Sequence, residues 1–332
     1  MIETRGGQIG PEMASKTPDS LIFEGVQIQW GKGEWEFNHP TLGKVVKPTF
    51  SLLNPRHWNE IVDLLNEGKV AACMMMGNYG VFKKIDLTEN SADVLFEKVK
   101  QRPKDQNFVA VVHPENMIDF IDVDRLFQKP YKVEFLMSER RPKLYAAGPQ
   151  HVIVPIKTKG INKALIREAD QTMGCFWVPG HYGFEGLVNV AKKKIKNGLI
   201  GGGSLNIHGK PPHYDKNSLY QGMAEQENWL EEIDFIIFDD IVEAGDIGRS
   251  HTMVRYTGNN PEIIRIGSLS PEKIQEKTRY KIQVNKDVIY ASSKTPYNEE
   301  FNKVAEKKMT EVLQRTHDFN LCRPMPLIPL IP

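Results

Sequence analysis

The sequence predicts an α/β or α+β domain in which a central sheet is covered by helices. Short β-branched apolar runs alternate with amphipathic helical segments from Pro55 to Ile266. A chain of 332 residues is long enough to bury a substantial core. Its 40% hydrophobic and 26% charged residues are ordinary globular composition, unlike the apolar-poor balance of a disordered chain.

The elements follow in order. About the first 50 residues mix Gly, Pro and Lys around two β-like runs, 21–29 and 34–38, which read as a hairpin or an extension laid over the main domain. From Pro55, Trp58, Ile61, Val62, Leu64 and Leu65 recur at helical spacing, with the Pro in the first turn and Gly68 as the stop. Residues 69–76, bounded by Gly68 and Gly77, read as a buried strand. A helix over 92–99, a strand over 108–112 and a short amphipathic segment over 117–127 come next. The pattern continues with a strand over 151–156, a helix over 183–195, an apolar run over 198–200, and strands over 233–238, 252–256 and 263–266. After Ser270 the chain reads as charged and helical, especially over 298–315. It ends in a Pro-rich run, RPMPLIPLIP, that cannot extend a helix.

Composition excludes several function classes. Lys plus Arg number 43 against 42 Asp plus Glu, so any nucleic-acid or membrane surface must be a local patch. Cys73, Cys175 and Cys322 are too few and too far apart for paired zinc ligands or a disulfide framework, and are expected as free thiols in a reducing compartment. The amino terminus lacks a signal-peptide core, and no apolar stretch approaches the roughly 18 residues of a membrane span. A soluble cytoplasmic protein is expected, without a membrane partner. GGGSLN is no P-loop, no G-x-G-x-x-G opens a helix, and no nucleophile elbow is present. His208 and His213 lack the nearby carboxylate of a zinc protease and read as loop residues, so no metal ligand is nominated.

Four clusters can carry chemistry. In Met74-Met75-Met76-Gly77-Asn78-Tyr79-Gly80 a buried strand ends in glycines, which suits close approach of a ligand or simply a tight turn with Met filling the core. In Lys100-Gln101-Arg102-Pro103 a helix ends with two cations. They suit phosphate or carboxylate oxygens, or the helix's own C-terminal dipole. The third, Gly201-Gly202-Gly203-Ser204-Leu205-Asn206, places Ser204 and Asn206 on one side behind three glycines, as a nucleotide-holding loop or a flexible surface loop would. The fourth is Gly248-Arg249-Ser250-His251-Thr252-Met253-Val254 followed by Arg265-Ile266-Gly267, a hydroxyl opening one strand and an Arg closing the next, able to converge on one anion.

In their order these clusters resemble one family, the YrdC-like L-threonylcarbamoyladenylate synthases. There, a strand ending in P-T-x-T-x-Y-G-L is followed by K-x-R-P, S-x-N, S-T-x and an R-x-G turn. The corresponding pieces here are MMMGNYGV, KQRP, SLN, SHTMV and RIG. The lead-in NPRHWNEIVDLLNEGKVAA resembles the family's opening helix and strand, and residues 231–238 resemble the strand before the S-T motif. The resemblance spans about 48–274, leaving 1–47 as an N-terminal extension and 275–332 as a helical C-terminal extension with a Pro-rich tail, a candidate lid. It implies an open, twisted mixed sheet flanked by helices, with a concave electropositive cavity. The implied reaction joins L-threonine, bicarbonate and ATP into threonylcarbamoyl-AMP and releases pyrophosphate, with Mg²⁺ accompanying the nucleotide. Lys100, Arg102, Ser204, Asn206 and Arg265 match the family's nucleotide- and phosphate-binding positions. Lys100, Arg102 and Thr252 are the catalytic candidates, since charge building on the α-phosphate needs positioned cations and no protein nucleophile.

The departures cluster on the threonine side. Both threonines of the first motif are absent, with Met75 and its neighbours in their place. The family's V-R-x-P reads Phe176-Trp177-Val178-Pro179, and the Ser of S-T aligns with His251. A family His falls near Val111, with His113 two residues on and on the same face if the strand continues. Met75, Tyr79, His113, Trp177, His181 and His251 are therefore the candidates for an altered acceptor pocket, or for a repacked core in a relative without catalysis. The expected function is an ATP-dependent, threonylcarbamoyl-AMP synthase-like nucleotidyltransferase whose small-molecule acceptor is not threonine, within the sphere of tRNA modification. The alternatives are a carbamoyltransferase of a biosynthetic pathway and a non-catalytic nucleotide- or RNA-binding protein.

Overall fold

The computed structural model describes residues 20–23, 26–29, 33–87, 95–101, 107–117, 119–126, 145, 147–157, 159–167, 169–196, 198–207, 210, 212–245, 249–257, 260–290 and 299–322. β1 (Ser20–Phe23) and β2 (Val26–Gln29) form a hairpin of their own. β3 (Gly33–His39) and β4 (Gly43–Ser51) pair antiparallel, and β4 then pairs with the strand Phe235–Phe238. The main sheet therefore starts before residue 48. The helix Pro55–Asn66 follows, opened by Asn54, whose side chain accepts from the Arg56 amide at 3.1 Å. It buries His57, Ile61, Val62 and Leu65 and packs against the helix Tyr182–Lys194. There Gly186 leaves room for the Trp58 ring, which an added Cβ would meet at 2.2 Å.

β5 (Ala71–Met74), β6 (Tyr79–Asp86), the helix Leu95–Lys100, β7 (Val109–Val111), β8 (Gln150–Pro155), β9 (Ile166–Arg167) and β10 (Thr172–Trp177) lead to the helix Tyr182–Lys194 and β11 (Gly198–Ser204). The helices Lys216–Glu225 and Glu227–Glu232, β12 (Phe235–Phe238), the helix Asp240–Gly245, β13 (Met253–Arg255), β14 (Glu262–Ile266), the helix Pro271–Thr278, β15 (Gln283–Tyr290) and the helix Glu299–Cys322 complete the chain. Among the described residues thirteen strands join in one sheet, ordered β15-β14-β13-β8-β10-β7-β11-β6-β5-β12-β4-β3, with β9 on β10. Parallel pairs (β7/β10, β8/β13, β5/β12) and antiparallel pairs (β6/β11, β8/β10, β13/β14) mix, and helices flank them. This is the α/β, mixed-sheet architecture expected from the sequence.

Several elements differ from the sequence reading, β10, β11 and β15 among them. The triple glycine is no loop: Gly201, Gly202 and Gly203 lie inside β11, Gly201 and Gly202 paired with strands on both sides and Gly203 with β6. A Cβ at Gly201 would stand 2.4 Å from the Ile85 side chain, so the glycines serve close packing. β10 is buried along its whole length, which removes the alternation that marks a strand. β15 sits at the sheet edge with Gln283, Val284, Lys286 and Asp287 exposed, so its sequence looks like that of a charged helix. Arg102, the 127–144 segment and the Pro-rich tail lie outside the described residues. Cys73 and Cys175 are buried free thiols, and burial pushes both pKa values up. Among the described residues no helix is long and apolar enough to cross a membrane.

Candidate functional site

Strand register carries the site across the sheet. Directly paired residues share a face, and along a strand every second residue does. Ile200 pairs with Val111, Val111 with Phe176, Phe176 with His151, His151 with Met253, and Met253 with Arg265. Ser204, four residues beyond Ile200, lies on that same face at the end of β11.

Lys100 reaches this face from the end of its helix. It is 2% exposed, and its Nζ donates to Ser204 Oγ at 3.2 Å. Ser204 Oγ donates to Asn206 Oδ1 at 2.8 Å, and Asn206 Nδ2 donates to the carbonyls of Ile207 (3.1 Å) and Lys210 (2.8 Å). The structure thus joins Lys100, Ser204 and Asn206 into one hydrogen-bonded chain. At the other side Arg265 donates through Nε (3.1 Å) and Nη2 (2.9 Å) to the His251 carbonyl, which fixes the guanidinium. The following Gly267 is required there, because a Cβ would lie 2.2 Å from Ser250 O.

Thr252 is committed elsewhere. Its hydroxyl donates to Leu269 O at 2.6 Å and accepts from the amides of Gly267 (3.0 Å) and Leu269 (3.1 Å), so it clamps the turn after β14. His251 is 1% exposed and its Nε2 donates to Met76 O at 2.9 Å. Its ring stacks on His151 at 5.4 Å and leans on Phe176 at 4.6 Å. Burial, followed by the charge of Arg265, lowers the His251 pKa to about 3, so the ring stays neutral. Arg249 is 1% exposed. Burial raises the Tyr214 pKa, and the charges of Arg249 and Arg265 oppose that rise. Lys100 and Arg265 reach the same sheet face and are of a kind that suits phosphate or carboxylate oxygens.

The acceptor candidates are packed. Met75, Tyr79, Trp177 and His251 are each no more than 2% exposed. The turn from Met75 to Asn78 closes with Met75 N donating to Asn78 O at 2.9 Å and holds Met76 at φ 51°, a left-handed conformation costing about 1–2 kcal/mol. Met75 packs over Gly80, where a Cβ would meet its Sδ at 2.0 Å. Trp177 stands edge-on to the half-buried His113 at 4.7 Å. His181 caps the helix Tyr182–Lys194, its Nδ1 accepting from Phe184 N at 3.2 Å, and its Nε2 pairs with Asp239. Asp239 Oδ1 in turn accepts from the amides of Ile241 (3.1 Å) and Val242 (3.2 Å), so His181 links two helix starts. A separate cleft of about 170 Å³, lined by Val111, Val188, Ala191 and Ile200, opens at the far end of β11 from Ser204.

Sequence reasoning missed His151 as a member of this face, because it gains its place only through the pairing of β8 with β10 and β13.

No family model matches the chain, and no curated protein matches it. Among solved structures, the chain is similar to Sua5 from P. abyssi complexed with L-threonine, with a TM-score of 0.52 and 23% identity over 70% of this chain and 60% of that one. A double-alanine variant of P. abyssi Sua5 is matched with a TM-score of 0.53 and 21% identity over 71% and 65% of the two chains. The fold is that of an α/β protein on one mixed sheet, with Lys100 and Arg265 reaching one of its faces. More particularly, the fold is the YrdC-like fold of Sua5, in a divergent form that spans three fifths to two thirds of the Sua5 chains it matches.

Proposed function

We propose that this chain binds ATP through its polyphosphate on the face that carries Lys100, Ser204, Asn206 and Arg265. There it forms a carbamoyl-type adenylate with bicarbonate and an amine acceptor other than free threonine. The observation that carries the reading is the hydrogen-bonded chain from Lys100 through Ser204 to Asn206 on a sheet face whose other side ends in Arg265. Lys100 and Arg265 would hold phosphate oxygens, and Ser204 and Asn206 would orient them. Held in place beforehand, such cations offset charge that builds on phosphorus without reorganising. Mg²⁺ would offset further phosphate charge. Among the described residues no group of three or more His, Cys, Asp or Glu is placed to hold a metal, so the ion would ride on the nucleotide.

The altered acceptor is supported by the packing. Where the family resemblance expects hydroxyls, this chain has buried Met75 and a His251 committed to Met76. The test is pyrophosphate release from ATP with bicarbonate and each amino acid in turn. Release with an amine other than threonine is expected, and threonine turnover like that of an ordinary synthase contradicts the altered acceptor.

The same burial favours a second reading, a nucleotide- or RNA-binding protein without catalysis. ATP binding with no release for any amine would select it. RNA bound on this face would show an affinity that falls steeply with salt and depends on Lys100.

A further inference from the structure

His151 lies in the middle of the cationic face and is 7% exposed. Among the described residues its Nε2 has no hydrogen-bond partner. A buried polar atom left unsatisfied costs free energy, so an orphan nitrogen at the centre of a binding face marks a bond that another molecule completes. Its neighbours narrow what that molecule is. Phe176 stands edge-on at 5.2 Å, and the His251 ring lies parallel at 5.4 Å with its own Nε2 committed to Met76. The titratable and charged groups that act on His151 are Arg265, His251 and Lys100; none is acidic, and with His251 neutral only Arg265 and Lys100 carry charge.

We propose that His151 is a ligand-binding residue of this site, its Nε2 hydrogen bonding to an oxygen of a bound polyphosphate. The inference deepens the nucleotide-binding reading above and rests on it. Burial, then the charges of Arg265 and Lys100, hold the His151 pKa well below its ordinary value, so the imidazole is neutral at pH 7. An anion docked on Lys100 and Arg265 offsets their field, and the imidazole then gains a proton that it donates to the phosphate. Polyphosphate binding is thereby coupled to proton uptake, and affinity rises as pH falls from about 7.5 to 6.

The experiment is calorimetric titration of the full chain with ATP and with inorganic pyrophosphate. It is run in two buffers of different ionisation enthalpy, for wild type, His151→Leu and His151→Gln. Wild type is expected to take up protons beyond the ligand's own titration. His151→Leu should bind roughly tenfold more weakly and lose that uptake. His151→Gln keeps an amide donor and should recover part of the affinity without the uptake. Wild-type affinity and uptake in His151→Leu overturn the inference alone. Should the Leu variant not fold, unchanged uptake in His151→Gln overturns it equally. Failure of wild type to bind either ligand overturns the inference together with the nucleotide-binding reading.

Discussion

His181 and Asp239 are fully buried, and their contact ties the start of the helix Tyr182–Lys194 to the start of the helix Asp240–Gly245. His181→Leu leaves the Asp239 carboxyl buried without that partner. It is expected to cost about 3–5 kcal/mol in denaturant unfolding, and His181→Leu combined with Asp239→Leu should recover most of the loss. A cost below about 1 kcal/mol for the single change would contradict the linking role. This residue shows where sequence reading runs out: a His beside Trp177 and Pro179 looks like a pocket group until Asp239, 58 positions away, is folded against it. Lys100, Ser204 and Asn206 were picked out by the order of motifs that carries the family resemblance, although Lys100 and Ser204 stand 104 positions apart. His151 was not, because its role depends on strands far apart in sequence.

At the scale of elements, the sheet was legible wherever apolar runs were bounded by turn residues, as in β5, β7, β8, β12 and β14. It was missed in β10 (TMGCFW), which has few of the β-branched residues that mark the equally buried β8 (QHVIVP), and in β15, where exposed charged residues hide the period-two signal. The terminal helix Glu299–Cys322 was legible from its charge and periodicity, but not where it docks. Met309, Val312, Thr316 and Phe319 are buried at helical spacing. Phe319 approaches Tyr182 at 6.4 Å, and Asn320 donates to Gly180 O at 2.9 Å. The helix is thus pinned to the segment that carries His181. Phe319→Ala is expected to cost about 3–5 kcal/mol of stability. A change within about 0.5 kcal/mol would mean that the helix does not dock there.

Over the whole molecule the net charge is +1, and the buried histidines set the response to acid. Burial lowers the pKa values of His57, His151, His213 and His251. A lowered folded-state value means that below about pH 6.5 the unfolded chain binds protons that the folded chain refuses. Stability is therefore fully present above about pH 6.5 and is lost as pH falls below it, for His251 down to about 3. Glu185 and Asp240 have raised values and act in the opposite direction, nearer the carboxylate range. The thermal midpoint is expected to fall between pH 7.5 and 5.5, and a flat or rising midpoint would contradict the buried neutral histidines. The central claim is that one cationic face of a YrdC-like sheet holds a nucleotide polyphosphate. Calorimetric titration of wild type and Lys100→Ala with ATP tests it most directly. The account predicts saturable binding at one site and a loss of roughly one to two decades in affinity for Lys100→Ala. Absence of binding, or equal affinity in the two proteins, would contradict it.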